Sequence, residues 1–210
     1  PETVLEKLRY AWEHAKRERN KRRGLPATED VGTIANMLIL LRQMTEIRLG
    51  YVITGTVIAT PYLPGLTRED LDDAMEYARL KMLSSFNSAV GVYEVEAAYA
   101  GLGNGLCQFP EDIERCNEEE MYMPWKVVLT ISFTNFLFSL TTTGCTSANR
   151  CWEYSREEDF ELGLWYKDRY GYEQMYWNRI RRTIRRFAEL ENRIDKLQLL
   201  GEAASNEHFQ

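Results

Sequence analysis

The chain has 210 residues, a length that suits one domain of ordinary size or two small lobes. Apolar residues make up 44% and charged residues 28%, and these near-average values for a globular protein exclude wholesale disorder. The formal net charge of −6 argues against generic nucleic-acid binding, and two histidines leave little for a His-rich metal centre.

Helical patterns open the chain. Apolar residues at 3–4 spacing predict a helix over residues 3–23, which ends in six basic residues out of eight, at 16–23. We interpret this basic run as a solvated helix end rather than a nuclear-localisation signal, because cations suit the carboxyl end of a helix. A second, strongly apolar helix is predicted over 33–49.

Alternating strands and helices follow. Residues 51–60 are rich in β-branched side chains and predict a buried strand. Thr67 is predicted to cap a helix, a short strand is predicted over 88–93, and a helix of small residues begins near 97. The capped helix is expected to expose four acids: Glu69, Asp72, Asp73 and Glu76. This order of elements is typical of an α/β unit.

Residues 101–123 are predicted to form a loop. Six acids and one base lie within 111–120, without the spacing of a calcium-binding loop. We therefore interpret the acidic cluster as solvated rather than as a metal site.

A charge-free stretch at 127–149 is long enough to span a membrane. Its apolar residues alternate with period 2, however, so it predicts a β-hairpin that turns near Thr134 and Asn135, and no membrane span. Beyond it we expect a third strand or a turn at 145–154 and a helix at 159–167.

The last part of the chain combines a helix and a strand. Residues 173–193 predict a long helix with one apolar face, and 196–200 predict a short strand. We interpret the basic face of this helix as solvated. It carries Arg179, Arg181, Arg182, Arg185 and Arg186.

The four cysteines form two close pairs, Cys107 with Cys116 and Cys145 with Cys151. Local disulfides are the simplest of three connectivities, and the spacing does not match a zinc site. Disulfides would indicate an oxidising, extracellular compartment. The absence of a glycosylation acceptor and of a signal-peptide pattern favours reduced cysteines in the cytoplasm, so both interpretations stay open.

Familiar catalytic arrangements are missing from the sequence. The two histidines, His14 and His208, lie in the end segments, far from a serine-triad pattern. Nucleophile-elbow, phosphate-loop and dinucleotide glycine signatures are absent as well. Motifs alone therefore indicate an α/β domain and no reaction.

Five segments of the chain carry a resemblance to a known family. Residues 52–80 match its strand–turn–helix segment, 92–101 its connecting segment, and 99–119 a cysteine-containing stretch that follows. Residues 127–142 fall where the second phosphate hairpin would lie, and 197–205 match the adenosine motif. In this order the segments resemble the ATPase domain of heat-shock chaperones, within the actin-like ATPase (ribonuclease-H-like) superfold, and most of all divergent fungal chaperone-like proteins.

The resemblance implies an α/β fold with two mixed-sheet lobes flanked by helices. On this basis residues 1–50 form a helical N-terminal segment, 51–123 the first lobe and 124–210 the second lobe with its long helix. The chain starts at Pro1 without a counterpart of the first phosphate hairpin, so we expect an incomplete copy of the superfold.

The resemblance also implies ATP with magnesium as the ligand. Glu94 aligns with a glutamate tied to metal and water positioning, and Gly201 and Glu202 fall in the adenosine motif. The second hairpin, at 132–135, lacks the aspartate and the glycines that let backbone N–H groups approach a phosphate. Glu202 would add a carboxylate beside the nucleotide.

These departures predict a degenerate nucleotide-binding protein, or a non-catalytic binding or scaffold protein with a protein partner. Two alternatives remain open at this point. One is an extracellular interaction protein stabilised by disulfides. The other is an ATPase whose missing motifs lie outside this chain.

Overall fold

A computed structural model describes residues 3–61, 65–83, 92–148, 150–191 and 193–209. The chain divides into two compact units, Pro1–Glu94 and Val95–Gln210. Both contain helices and strands, so the predicted α/β class is confirmed. Among the described helices, none is both long and apolar enough to cross a lipid bilayer.

The first unit is mostly helical. Its helices are α1 (Val4–Arg22), α2 (Glu29–Leu49) and α3 (Arg68–Tyr77). Its strands have two residues each: β1 (Gly55–Thr56), β2 (Ala59–Thr60), β3 (Lys81–Met82) and β4 (Val92–Tyr93). They form two separate parallel pairs, β1 with β3 and β2 with β4.

Helix boundaries follow local capping chemistry. Thr67 accepts a hydrogen bond from the backbone of Asp70, whose side chain bonds back to Thr67, so the predicted cap of α3 is confirmed. Thr28 caps α2 and starts it four residues earlier than the apolar pattern predicts. Gly50 ends α2 in a left-handed conformation with φ of 75°.

The single buried strand predicted over residues 51–60 is wrong. Only β1 and β2 are regular there, and Val52 and Val57 are 75% and 49% exposed. The β-branched side chains favour extended backbone, but each short piece pairs with a different strand, so no continuous pleated surface forms. Of the strand predicted at 88–93, residues 92–93 form β4, and 88–91 lie outside the described residues.

Asp73, predicted to be exposed on α3, is 8% exposed. Its carboxylate accepts from Arg17 Nη2 at 2.7 Å and from Lys21 Nζ at 2.8 Å, and Arg17 Nη1 also donates to Asp70 at 2.8 Å. The hydrogen bond with Asp73 raises the pKa of Lys21. Because α1 buries no residue, this cluster of charges is its main attachment to α3.

The second unit is built around a four-stranded sheet. Helix α4 (Glu94–Gly101) starts at the last residue of the first unit and continues into the second. The other elements are α5 (Ile113–Tyr122), β5 (Lys126–Phe133), β6 (Phe138–Ser147), β7 (Arg150–Asp159), α6 (Glu173–Ala188) and β8 (Lys196–Leu200), with 3-10 helices at Leu164–Tyr170 and Glu202–Ser205.

The sheet has the strand order β7-β6-β5-β8. Strands β5, β6 and β7 are antiparallel neighbours, so the predicted hairpin over 127–149 and its turn near Thr134 are confirmed. The chain then crosses through α6, and β8 pairs parallel to β5. The sheet is therefore mixed.

Helix α6 covers the sheet with its predicted apolar face. Tyr176, Trp177, Ile180 and Phe187 are buried against sheet residues that include Phe133. The helix ends at Ala188 rather than at 193, since Phe187 is its last buried residue.

Two other predictions for this unit hold only in part. Of the predicted helical residues 159–167, only those from Leu164 onward are helical, in a 3-10 helix, because β7 extends to Asp159. The stretch 101–123 is not a continuous loop, because Asp112 accepts from the backbone of Arg115 and caps α5.

Candidate functional site

The candidate site lies where β5 and β8 end together. The two strands are parallel neighbours, with Ser132 opposite Leu200, so the segments that follow them emerge at the same edge of the sheet. These segments are the β5–β6 turn, residues 134–137, and the short stretch that begins at Gly201. We call this region the carboxyl edge.

Gly201 allows the two segments to approach each other. Its φ is +90°, and a Cβ there would overlap the carbonyl oxygen of Phe133 and crowd the Thr134 methyl group at 3.1 Å. A residue with a side chain would therefore strain the backbone and push β8 away from β5.

Every backbone N–H of the β5–β6 turn has an acceptor within the chain. The Thr134 N–H donates to the Leu137 carbonyl at 2.9 Å. The N–H groups of Phe136 and Leu137 donate to Thr134 Oγ1 at 3.2 and 2.9 Å. The fourth N–H, of Asn135, donates to Glu202 Oε1 at 2.9 Å. A phosphate would have to displace these bonds to use the turn.

The turn is also fixed from its other side. The N–H groups of Leu164 and Trp165 donate to the carbonyls of Thr134 and Asn135, each at 3.0 Å. The ring of Phe136 lies 4.3 Å from that of Trp165, centroid to centroid, and the two residues are 55% and 64% exposed. The carboxyl edge therefore presents a rigid turn with an exposed aromatic pair.

The structure brings some of the predicted site residues together and not others. Gly201 and Glu202 lie beside the segment 132–135. Glu94 follows β4 directly, begins α4 and belongs to the first unit. Its alignment with a metal-positioning glutamate stays a prediction.

The acidic segment 111–120 is used for structural contacts. Glu119 accepts from the backbone N–H of Gln108 at 2.6 Å, and buried Glu120 lies 3.9 Å from Arg150. Across the ranges that the structure describes, no three His, Cys, Asp or Glu residues are grouped so that they could hold a metal ion.

Both cysteine pairs form local disulfides, the simplest connectivity that the sequence allows. Cys107 lies before α5 and bonds Cys116 within it, and Cys145 on β6 bonds Cys151, its cross-strand partner on β7. The bridges therefore fix the start of α5 and the end of the β6–β7 hairpin.

Sequence reasoning missed what Thr134 and Glu202 do. A Thr-Asn pair between two strands is a turn signal, and the Thr hydroxyl often accepts from the backbone N–H two residues later. The role of Thr134 could therefore have been predicted from sequence. The pairing of Glu202 with Asn135 joins residues 67 positions apart and has no local signal.

A second polar cluster links the sheet to the segment that follows α6. Thr142 Oγ1 donates to Glu191 Oε1 at 2.6 Å and lies 2.6 Å from Ser155 Oγ, which donates to the same carboxylate oxygen at 3.1 Å. With both hydroxyl protons donated to the Glu191 carboxylate, this cluster is a structural link.

No protein-family model matches the chain, and no curated protein matches it significantly.

Proposed function

We propose that the chain is a non-catalytic protein-binding domain derived from the actin-like ATPase superfold. The mixed sheet of the second unit supports this origin, since it opens with the hairpin β5–β6 and is covered by α6. The position of Gly201 beside the turn supports it too, because the resemblance assigns both segments to the nucleotide site.

The loss of catalysis is inferred from one observation: every backbone N–H of the β5–β6 turn already has a hydrogen-bond acceptor within the chain. A phosphate-binding turn needs free N–H groups that point at the anion. Here Thr134 and Glu202 hold three of the four, and the Glu202 carboxylate repels an approaching phosphate. The carboxyl edge is therefore poorly suited to nucleotide.

The same edge is well suited to a protein. Exposed aromatic residues are enriched among the anchors of protein interfaces, and a rigid anchor loses little conformational entropy on binding. Phe136 and Trp165 contact each other and are held by backbone bonds on both sides of the turn. We assign the partner contact to this aromatic pair.

Thermal unfolding with Mg-ATP tests the proposal. A ligand that binds only the folded state raises its melting temperature, so we expect no change at millimolar Mg-ATP. Glu202→Ala should also show none, because Thr134 still holds the N–H groups of Phe136 and Leu137. A saturable rise for the wild-type chain would contradict the proposal.

Capture of a protein partner tests whether the aromatic pair is the binding surface. Phe136→Ser and Trp165→Ser should each lose a partner that the wild-type chain retains. Tyr122→Ser is the matched control, because Tyr122 is an exposed aromatic residue on α5, away from the carboxyl edge. Equal loss in all three variants would show that the aromatic pair is not the binding surface.

The pairing of all four cysteines favours a second candidate function, that of an extracellular interaction protein stabilised by disulfides. The purified chain should then show no free thiols when denatured without reductant. Four free thiols would exclude this candidate.

The Cys145–Cys151 bridge should contribute about 2 kcal/mol to the free energy of unfolding, because it closes a short loop in the unfolded chain. Replacing both cysteines by Ala should lower stability by this amount in urea titrations. In strong reductant the wild-type chain and the variant should become nearly equal, and a difference that persists there would assign the loss to packing at buried Cys145.

A further inference from the structure

Helix α2 carries an apolar face that no described part of the chain covers. Its buried residues lie at its start, at Val31, Gly32 and Ala35. Five large apolar residues farther along are more than half exposed, from 58% at Leu41 to 82% at Ile47. The five are Met37, Leu40, Leu41, Met44 and Ile47.

The spacing of this face is that of a helix-pairing seam. Met37, Leu40, Met44 and Ile47 follow each other at intervals of three, four and three, the pattern that places one apolar line along a partner helix. The ten residue-to-residue steps from Met37 to Ile47 cover about 15 Å of helix. We call these four residues the α2 seam.

Two charged residues of α2, Arg42 and Glu46, are engaged on the side away from the seam. Arg42 donates to the carbonyl of Ala78 at 2.8 Å, and Glu46 accepts from the N–H of Ile53 at 2.9 Å. The residues that flank the seam are Asn36, Leu41, Gln43 and Arg48, so Arg48, at the carboxyl end, carries the one charge among them. The seam therefore fits an apolar helix whose flanks carry little charge.

One such helix is α2 itself, and we propose that α2 packs antiparallel against α2 of a second copy of this chain. With the symmetry axis level with Arg42, Met37 lies opposite Ile47 of the second copy, and Leu40 lies opposite Met44. Two-fold symmetry repeats both contacts, so all four seam residues are covered. The antiparallel arrangement of the two helix dipoles adds a favourable electrostatic energy to the pairing.

The flanks agree with this arrangement. In an antiparallel pair each flanking line faces its own copy, so Leu41 meets Leu41 and Gln43 meets Gln43, and like charges do not face each other there. The exposed apolar stripe of α1, with Leu5, Leu8 and Trp12, lies among acids and bases and lacks this self-complementarity. The pairing does not depend on what binds at the carboxyl edge.

Sedimentation velocity of the full chain tests the pairing. The wild-type chain should be a dimer at micromolar concentration. Met44→Glu should raise the dimer Kd about a hundredfold, because it places a carboxylate in each half of the seam. Met121→Glu is the matched control, since Met121 is an equally exposed methionine on α5, and it should leave the dimer intact. Circular dichroism checks that both variants fold.

Two charge substitutions at residue 43 test whether the paired α2 helices are antiparallel or parallel. In the antiparallel dimer Gln43→Glu and Gln43→Lys should each weaken self-association, and an equimolar mixture should restore it. In a parallel dimer residue 43 would face Arg48, so Gln43→Glu alone would strengthen it. A monomeric wild-type chain, a dimer insensitive to Met44→Glu, or a dimer strengthened by Gln43→Glu overturns the proposal.

Discussion

Replacing Phe133 by Ala should lower the free energy of unfolding of the second unit by about 3–5 kcal/mol. Phe133 is fully buried at the end of β5. Its ring packs against three others, Phe138, Trp177 and Phe209, at centroid distances of 6.0, 6.1 and 4.8 Å. Truncation leaves a cavity between sheet and helix that these rigid rings cannot fill.

Urea unfolding followed by tryptophan fluorescence measures this effect, because Trp177 lies against the lost ring. Phe160→Ala is the matched control, since Phe160 is 53% exposed and should change stability by about 0.5 kcal/mol or less. A loss below about 1 kcal/mol for Phe133→Ala would mean that the aromatic cluster is not the core of this unit.

Asp73→Asn should destabilise the first unit by about 3 kcal/mol, because it removes a buried charge from between two cations. Asp73 accepts from both Arg17 and Lys21, and α1 has no buried side chain to hold it once these bonds weaken. We expect α1 to separate from α3 before the rest of the unit unfolds.

Amide hydrogen exchange measures the protection of each helix separately. In Asp73→Asn we expect protection to fall in α1 first. Asp72→Asn is the matched control on the same helix. The Asp72 carboxylate is half exposed and, among the described residues, pairs with Arg68 alone, four residues before it, so its loss should cost about 0.5 kcal/mol. Equal loss of α1 protection in both variants would show that Asp73 is not its anchor.

Asp70 contributes to the same attachment. Burial acts to raise the pKa of Asp70, but hydrogen bonds from Thr67 and Arg17 outweigh this effect and hold the pKa below its ordinary value. The carboxylate is therefore ionised at neutral pH, which keeps the charge that Arg17 needs.

The sequence predicts best those elements whose signal is local and periodic. The period-2 pattern after residue 127 identifies the β5–β6 hairpin, the 3–4 pattern identifies the buried face of α6, and Thr67 identifies the start of α3. In each case the side chains that decide the structure are close neighbours along the chain.

The features that the sequence does not predict depend on distant partners. From its sequence neighbours Asp73 is expected to be a solvated acid. In the structure α1 places Arg17 beside it, although the two residues are 56 positions apart in the chain. Residues 51–60 have the composition of a strand, but the number of residues that pair is decided by β3 and β4. Glu202 likewise acquires its role only when β8 pairs with β5.

Thr134 and Glu202 hold different N–H groups of the β5–β6 turn, and this affects how the carboxyl edge could evolve. Removing Glu202 alone frees one amide and leaves two bonded to the Thr134 hydroxyl, and removing Thr134 alone leaves the carboxylate in place. Anion binding at this turn therefore requires two substitutions far apart in the sequence, with no gain after the first. No single substitution of Thr134 or Glu202 converts the carboxyl edge into an anion site.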